Sequence, residues 1–140
     1  MKATAAGYSG TPLARKLGLK PAMRVLELNA PAHFHALLPD APLGVVWLGR
    51  AGPFDCGIAF AASVAAAQAI FMKLEPKLAQ DSMIWIAWPK KAAGLKTDLD
   101  ENLVRDLGLA TGLVDIKVCA IDATWSGLKF VRRVRDRIKS

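Results

Sequence analysis

Short apolar runs alternate with helical patterns along the chain. Six of these runs are predicted to be strands, because each is short, rich in β-branched or aromatic residues and bounded by turn-forming residues. They cover residues 24–29, 44–48, 55–61, 82–88, 113–121 and 128–134. The third and fourth runs are almost wholly apolar, which is typical of central strands buried on both faces of a parallel sheet.

Four segments between these runs have the pattern and end signals of helices. The predicted helices cover residues 12–17, 31–38, 64–78 and 98–109. Their N-termini are marked by capping or first-turn residues, namely Thr11-Pro12, Pro31, Ser63, and Thr97 or Asp98. A turn of polar and small residues at 122–127 (DATWSG) joins the last two strands as an antiparallel hairpin.

The order of these elements predicts a single α/β domain. Strands that alternate with helices form a largely parallel sheet covered on both faces, and the last two strands close it as a hairpin. We therefore expect six strands in the order 2-1-3-4-6-5, of which the first four are parallel. The expected boundaries are a flexible N-terminal arm at 1–10, the α/β domain at 11–134 and a basic tail at 135–140.

Composition narrows the class of protein. The 140 residues are 53% apolar and 22% charged, which excludes a disordered or fibrous chain. Two cysteines cannot form a disulfide framework, and both lie in apolar runs, so we expect Cys56 and Cys119 to be buried, reduced thiols. The first residues contain no apolar signal segment. The sequence therefore predicts a cytoplasmic protein with no membrane partner. It leaves the oligomeric state open.

The positive charge is concentrated at the C-terminus. The net charge is +7, and residues 129–140 hold six basic residues and one acid, so they carry +5 of it. Such a segment either is a solvated chain end or binds nucleic acid or another anion. The binding hypothesis assigns this contact to Arg132, Arg133, Arg135 and Arg137.

A ligand of a parallel sheet binds beyond the carboxyl ends of the strands. In this chain that rule selects Asn29 and the sequence Trp88-Pro89-Lys90-Lys91. The two ammonium groups could hold a phosphate or carboxylate, and the indole could stack on a planar group. Thr97 opens a helix nearby and offers backbone amides. The alternatives are a solvated basic loop and a tryptophan that covers the core.

The hairpin turn supplies further candidate ligand residues, namely Asp122, Thr124, Trp125 and Ser126. Their hydroxyls, acid and indole could line the same rim, or they could bond only their own backbone. His33 and His35 have no carboxylate or cysteine set around them in sequence, so we expect no metal site. No catalytic arrangement of Ser/His/Asp or Cys/His type is recognisable, and Glu27, inside an apolar strand, needs a partner such as Arg24 or a hydroxyl.

Residues 17–133 resemble the class I S-adenosylmethionine (SAM)-dependent methyltransferases. The segment 19–28 (LKPAMRVLEL) is similar to the lead into their first strand, Phe54-Asp55 to the start of a later strand, and the hairpin to their closing strands. The resemblance implies a truncated Rossmann-like, methyltransferase-like fold that lacks one helix–strand unit.

The cofactor motif of that family is degenerate here. Glu27 matches its acidic position, but residues 29–31 (NAP) replace its glycines. Residues 48–50 (LGR) lack the acid that holds the ribose, and residues 61–64 (AASV) replace the acceptor motif. The expectation is therefore no cofactor, with SAM as the disfavoured alternative.

A second resemblance spans nearly the whole chain. The strings YSGTPL (8–13), WPKK (88–91), TDL (97–99) and TWSGLKFVRR (124–133) are similar to a small bacterial family of domains of unknown function. The sequence as a whole predicts a non-catalytic binding or regulatory module for a small anionic or nucleotide-like ligand. The alternatives are a SAM-dependent methyltransferase and a nucleic-acid-associated protein that uses the basic tail.

Overall fold

One six-stranded sheet organises the chain. The computed structural model describes residues 11–49 and 52–133, so the expected arm at 1–10 and tail at 135–140 lie outside the described residues. The strands are β1 (Arg24–Leu28), β2 (Val46–Leu48), β3 (Cys56–Phe60), β4 (Met83–Pro89), β5 (Leu113–Ala120) and β6 (Trp125–Arg132). Their order is β2-β1-β3-β4-β6-β5. The first four are parallel and β6 is antiparallel to β4 and β5, which confirms the predicted topology.

Helices lie on both faces of the sheet. The α-helices are α1 (Leu13–Leu17), α2 (Val64–Leu74) and α3 (Glu101–Ala110), and short 3-10 turns occur at Phe34–Leu37, Glu75–Lys77 and Lys91–Ala93. One face, the α2–α3 face, packs under α2 and α3. The opposite face, the α1 face, is covered by α1 and the 3-10 turn after β1. No helix in the described ranges is long and apolar enough to cross a membrane.

The α2–α3 face has a close-packed aromatic core. Phe71 of α2 meets Phe130 of β6 edge to face, with ring centroids 5.0 Å apart. Gly108 lets α3 approach this ring, because a Cβ at that position would overlap Phe130. Ser63 caps α2 as predicted, and its hydroxyl accepts the Ala66 amide at 3.1 Å.

On the α1 face, a buried indole connects the sheet to the end of α1. Trp85 of β4 is fully buried, and its Nε1 donates to the carbonyl oxygen of Leu17 at 2.9 Å. A five-residue helix is not stable alone, so this contact fixes α1 on the sheet. Gly18 ends α1 in a left-handed conformation with φ +82°.

The predicted helix at 31–38 is wrong. The structure has only the 3-10 turn Phe34–Leu37 there. Residues two apart in an α-helix point in nearly opposite directions, whereas His33 and His35 both reach carboxylates on the sheet. These two polar contacts and the nearby Pro39 favour a short, irregular segment over a helix.

The other helix and turn boundaries shift for local reasons. Asp100, not Thr97 or Asp98, caps α3 and accepts the Leu103 amide at 2.8 Å. Asp98 instead accepts the amide of Val64 at the start of α2, also at 2.8 Å. The predicted helix at 64–78 divides into α2 and the 3-10 turn Glu75–Lys77.

The hairpin turn is shorter than predicted. The amides of Ile121 and Asp122 both donate to the carbonyl oxygen of Trp125, at 2.8 and 3.2 Å. Strand β6 therefore begins at Trp125 rather than at Leu128, and the predicted turn at 122–127 is too long.

Candidate functional site

The carboxyl ends of the parallel strands β1, β2, β3 and β4, together with the β5–β6 turn, form what we call the carboxyl edge. At the end of β1, Asn29 has a left-handed backbone with φ 59°, which Asn tolerates better than most non-glycine residues. Its side-chain amide donates to the carbonyl oxygen of Phe60, at the end of β3, at 3.4 Å. The turn at Asn29 therefore links two neighbouring strand ends where ligands of such sheets bind.

A histidine–carboxylate pair crosses the carboxyl edge from the segment after β1 to the hairpin turn. His33 Nε2 lies 2.7 Å from Asp122 Oδ2. The His33 side chain is 52% exposed, whereas that of Asp122 is 12% exposed. A neutral imidazole that donates from Nε2 carries its lone pair on Nδ1. The pair therefore presents a proton-accepting nitrogen on a half-exposed ring.

Asp122 is held as an anion by its surroundings. Its Oδ1 accepts the backbone amides of Thr124 and Trp125, each at 2.8 Å. Burial acts to raise the pKa of Asp122, but the hydrogen bonds from His33 and from these two amides outweigh it, and the pKa lies below its ordinary value. An ionised Asp122 fixes the orientation of the His33 ring through the contact at Nε2.

A second such pair lies on the α1 face. His35 Nε2 is 2.6 Å from Glu27 Oε2, and the His35 ring packs against Trp47 with centroids 4.4 Å apart. The expectation that Arg24 or a hydroxyl pairs with Glu27 is wrong. Arg24 instead makes a two-point contact with Asp55 at the other end of β1, and these hydrogen bonds lower the pKa of Asp55.

The structure separates the predicted tryptophan from the predicted lysines. Trp88 is 5% exposed and packs in the core of the α2–α3 face. This agrees with the alternative in which the tryptophan covers the core instead of stacking on a ligand. Lys91 is exposed and Lys90 partly so. The Lys90 amide donates to the carbonyl oxygen of Thr124 at 2.8 Å, so the lysine loop lies beside the hairpin turn. Anion binding by these lysines stays a prediction.

The remaining predicted residues lie along the same edge. Trp125 meets the Phe60 ring edge to face, with centroids 5.0 Å apart, and Thr124 and Ser126 beside it are partly buried. The Thr97 hydroxyl donates to the carbonyl oxygen of Ala62 at 2.7 Å. Thr97 therefore ties the loop before α3 to the end of β3.

The basic C-terminal residues fall partly within the described chain. Arg132 donates to the carbonyl oxygen of Leu78 at 2.8 Å and contacts Glu75 through both its carbonyl oxygen and its carboxylate. It therefore fastens β6 to the end of α2. Arg133 is partly exposed just after β6. Arg135 and Arg137 lie outside the described residues.

Thiol chemistry has no support in the structure. Cys56 and Cys119 are free and buried, as predicted. Burial raises the pKa of Cys56 to about 12 and raises that of Cys119 as well, and a protonated thiol is a weak nucleophile. In ranges 11–49 and 52–133 no group of three or more His, Cys, Asp and Glu is placed to hold a metal ion.

His33 is the site residue that sequence reasoning missed. Its partner Asp122 is 89 positions away, and only the strand order brings them together. Two signals pointed to this contact separately: a histidine in the segment after the first strand, and an acid in the turn of the hairpin beside the central strand. The geometry joins them into a candidate general base for a ligand at the carboxyl edge.

Methyltransferases are among the solved structures with a similar fold. The ribosomal protein L11 methylase of Lactobacillus delbrueckii subsp. bulgaricus is 11% identical with a TM-score of 0.56, over 86% of this chain and 75% of that one. The magnesium protoporphyrin IX methyltransferase (ChlM) of Synechocystis PCC 6803, solved with bound SAH, is 13% identical with a TM-score of 0.56, over 81% and 75%. The mitomycin 7-O-methyltransferase MmcR is 9% identical with a TM-score of 0.63, over 87% of this chain and 53% of that one. No family model and no curated protein matches the chain.

These neighbours correct two expectations from the sequence. The chain has the class I methyltransferase fold, as the distant resemblance implied. The non-catalytic module and the absence of a cofactor were wrong as leading interpretations, because the neighbours are methyltransferases and some hold SAM or SAH. They favour the alternative that the sequence analysis had kept, a SAM-dependent methyltransferase.

Proposed function

We propose that the chain is a SAM-dependent methyltransferase that holds its cofactor at the carboxyl edge, over the ends of β1, β2 and β3. The observation that carries this proposal is the Asn29 turn. Asn29 occupies the first glycine position of the resemblance and keeps a left-handed backbone there, with φ 59°. A backbone of this shape allows close approach of a ligand. The replacement of glycine by asparagine therefore preserves the turn.

The residues of the carboxyl edge fit the methionine part of SAM better than its ribose. Asn29 offers the turn for the methionine part. At the end of β2, a Cβ on Gly49 would meet no atom within 4 Å, which leaves room for a ligand. The acid that holds the ribose in the family is absent, since residues 48–50 read Leu-Gly-Arg. We therefore expect the cofactor to bind without that charge-assisted hydrogen bond.

The chain's own residues supply the proton chemistry. Bound SAM supplies an electrophilic methyl group. A methyl acceptor with an ionisable O–H or N–H must lose a proton, and His33 Nδ1 would take it. Asp122 would stabilise the resulting imidazolium through its contact at Nε2. The partly buried Trp125 ring, which packs on the buried Phe60 ring, provides an apolar wall beside this pair.

Isothermal titration calorimetry with SAH and with SAM tests the proposal without knowledge of the acceptor. We expect each compound to bind with one site per chain. The proposal fails if the folded chain binds neither at about 1 mM, a concentration at which even a complex of about −4 kcal/mol is half formed.

The Gly49→Asp variant sharpens this test. It places a carboxylate at the end of β2, where the added side chain meets open space. A hydrogen bond to a charged group is worth about 1.5–3 kcal/mol, so SAH should bind about tenfold more tightly or better. Gly49→Asn is the matched control, because it adds the same volume without charge. Equal affinities of the two variants would place the ribose elsewhere.

Two narrower expectations stay part of this proposal as predictions. One is membership of the bacterial family that shares the YSGTPL, WPKK and TWSGLKFVRR strings, which brings no activity of its own. The other is a cytoplasmic location. Neither changes the chemistry at the carboxyl edge.

A further inference from the structure

Two lysines face each other on the α1 face. Lys117 of β5 and Lys129 of β6 are directly paired in the antiparallel register, so their side chains leave the sheet on the same side. Like charges placed opposite each other destabilise a hairpin. In ranges 11–49 and 52–133, the ion pairs use arginine or histidine and no lysine. The fold therefore keeps a repulsive pair that none of its own described carboxylates neutralises.

Two more lysines complete what we call the lysine cluster, which consists of Lys16, Lys20, Lys117 and Lys129. The Lys117 ammonium donates to the carbonyl oxygen of Lys16 at 3.0 Å. The Lys129 ammonium lies beside Gly18, where α1 ends. Partial burial lowers the pKa of Lys129, and the charges of Lys117 and Lys20 lower it further. Lys117 and Lys20 are therefore close enough to Lys129 to repel it, and Lys16 lies at the same helix end through its contact with Lys117.

Charge is divided between the two faces of the molecule. Residues 11–23, which include α1, contain three basic residues and no acid. Residues 97–115, which include α3, contain five acids and one arginine. A long anion would therefore be attracted to the α1 segment and repelled by the α3 segment.

We propose that the lysine cluster binds the phosphate backbone of a nucleic acid. Several ammonium groups spread over a helix end and a hairpin match a chain of phosphates better than a single anion. A membrane surface fits less well, because interfacial binding also needs apolar side chains that insert. Val118 is exposed but pairs with Leu128 of the α2–α3 core, so it leaves the sheet on the side opposite the cluster, and Ile116 is the one other exposed large apolar residue next to Lys117. This inference does not depend on methyl transfer and assigns the contact to residues other than the basic tail.

Fluorescence anisotropy with a labelled single-stranded RNA of about 20 nucleotides tests the proposal, since this length exceeds common site sizes. Affinity is measured between about 50 and about 200 mM salt. The test variant is Lys117→Gln with Lys129→Gln. The control is Lys73→Gln with Lys77→Gln, which removes two exposed lysines from the α2 side of the molecule.

The test variant should lose most of the affinity at low salt and flatten the log–log salt slope by about 1.4, the value for two lost contacts to a single strand. The control should change both much less. Thermal unfolding should show an unchanged or higher midpoint, because a repulsive pair is removed. If the double variant fails to fold, Lys20→Gln at an exposed position makes the same comparison with an expected slope change of about 0.7.

Four outcomes would overturn the proposal. They are an unmodified chain that binds no RNA, an equal loss in the control variant, a loss that follows only Arg135→Gln with Arg137→Gln, and tighter lysine-dependent binding to phosphatidylserine vesicles than to RNA. SAH binding is measured separately, so failure here leaves the methyltransferase proposal standing, and the reverse also holds.

Discussion

The two faces of the sheet are stabilised in different ways. The α2–α3 face rests on two amphipathic helices over a continuous apolar core that includes Phe71 and Phe130. The α1 face carries one five-residue helix and a 3-10 turn. Three polar side-chain contacts tie these short segments to the rest of the fold, namely Trp85 to Leu17 and two histidine–carboxylate pairs.

This difference shows which face of the sheet carries the candidate functional groups. The α2–α3 face mainly buries apolar side chains and contributes few of the candidate site residues. On the α1 face the segments after β1 and β2 are short, and side chains that longer helices would cover remain within reach of solvent. His33 is exposed because of that shortening, whereas the lysine cluster lies beside the short helix α1.

Trp85→Ala should have the largest effect on stability, because it removes a large, fully buried side chain that also bonds the end of α1. Loss of a fully buried tryptophan costs about 3–5 kcal/mol. Urea unfolding measures this loss, and hydrogen exchange shows where it falls. Amides of residues 15–19 should lose protection before those of α2. Retained protection in α1 would mean that the indole is not its anchor.

Gly108→Ala tests the closeness of packing on the opposite face. The new methyl group would overlap Phe130, and overpacking of this kind costs about 1–3 kcal/mol. Phe130→Leu should lower the cost of Gly108→Ala, because it makes room for the methyl group. A double-mutant cycle measures this coupling. Strict additivity would show that α3 moves away instead.

Asp122→Asn should destabilise the chain in a pH-dependent way. The pKa of Asp122 in the folded chain lies below its ordinary value of 3.8, so the carboxylate stabilises the fold at neutral pH and loses that effect as pH falls through the folded pKa. The difference from the unmodified chain should be about 1–3 kcal/mol at pH 7. It should shrink below about pH 4. A difference that does not change between pH 7 and pH 3 would contradict this assignment.

The double variant Lys90→Ala with Lys91→Ala should have the smallest effect on stability. Lys91 is exposed and Lys90 is partly so, and surface changes of this kind usually stay within about 0.5 kcal/mol. Thermal unfolding checks this. A loss of several kcal/mol would make the two lysines structural partners of the hairpin turn rather than a displayed anion site.

The pattern of apolar runs was sufficient to predict the sheet but not the candidate site. The nearly continuous runs at β3 and β4 identified the central strands because burial on both faces removes alternation. The helix predicted at 31–38 failed because His33 and His35 have partners elsewhere on the sheet. Long-range side-chain pairs are not visible in local spacing.

The glycine motif illustrates a second limit. Because residues 29–31 replace the glycines of the resemblance, the sequence predicts a degenerate cofactor motif and no cofactor. The structure keeps the left-handed backbone at Asn29, a residue type that visits this conformation more readily than most. The inference from letters to backbone geometry was too strict at this one position.

Two-dimensional ¹H–¹⁵N NMR of the labelled chain, titrated with SAH, is the most direct test of the central claim. The 140-residue chain is small enough for residue-by-residue assignment of amide signals. The signals of residues 28–30, 32–33, 48–49 and 61–63 should shift together as SAH is added. Shifts confined to other residues, or no shifts from a folded chain, would contradict the assignment of the carboxyl edge as a cofactor site.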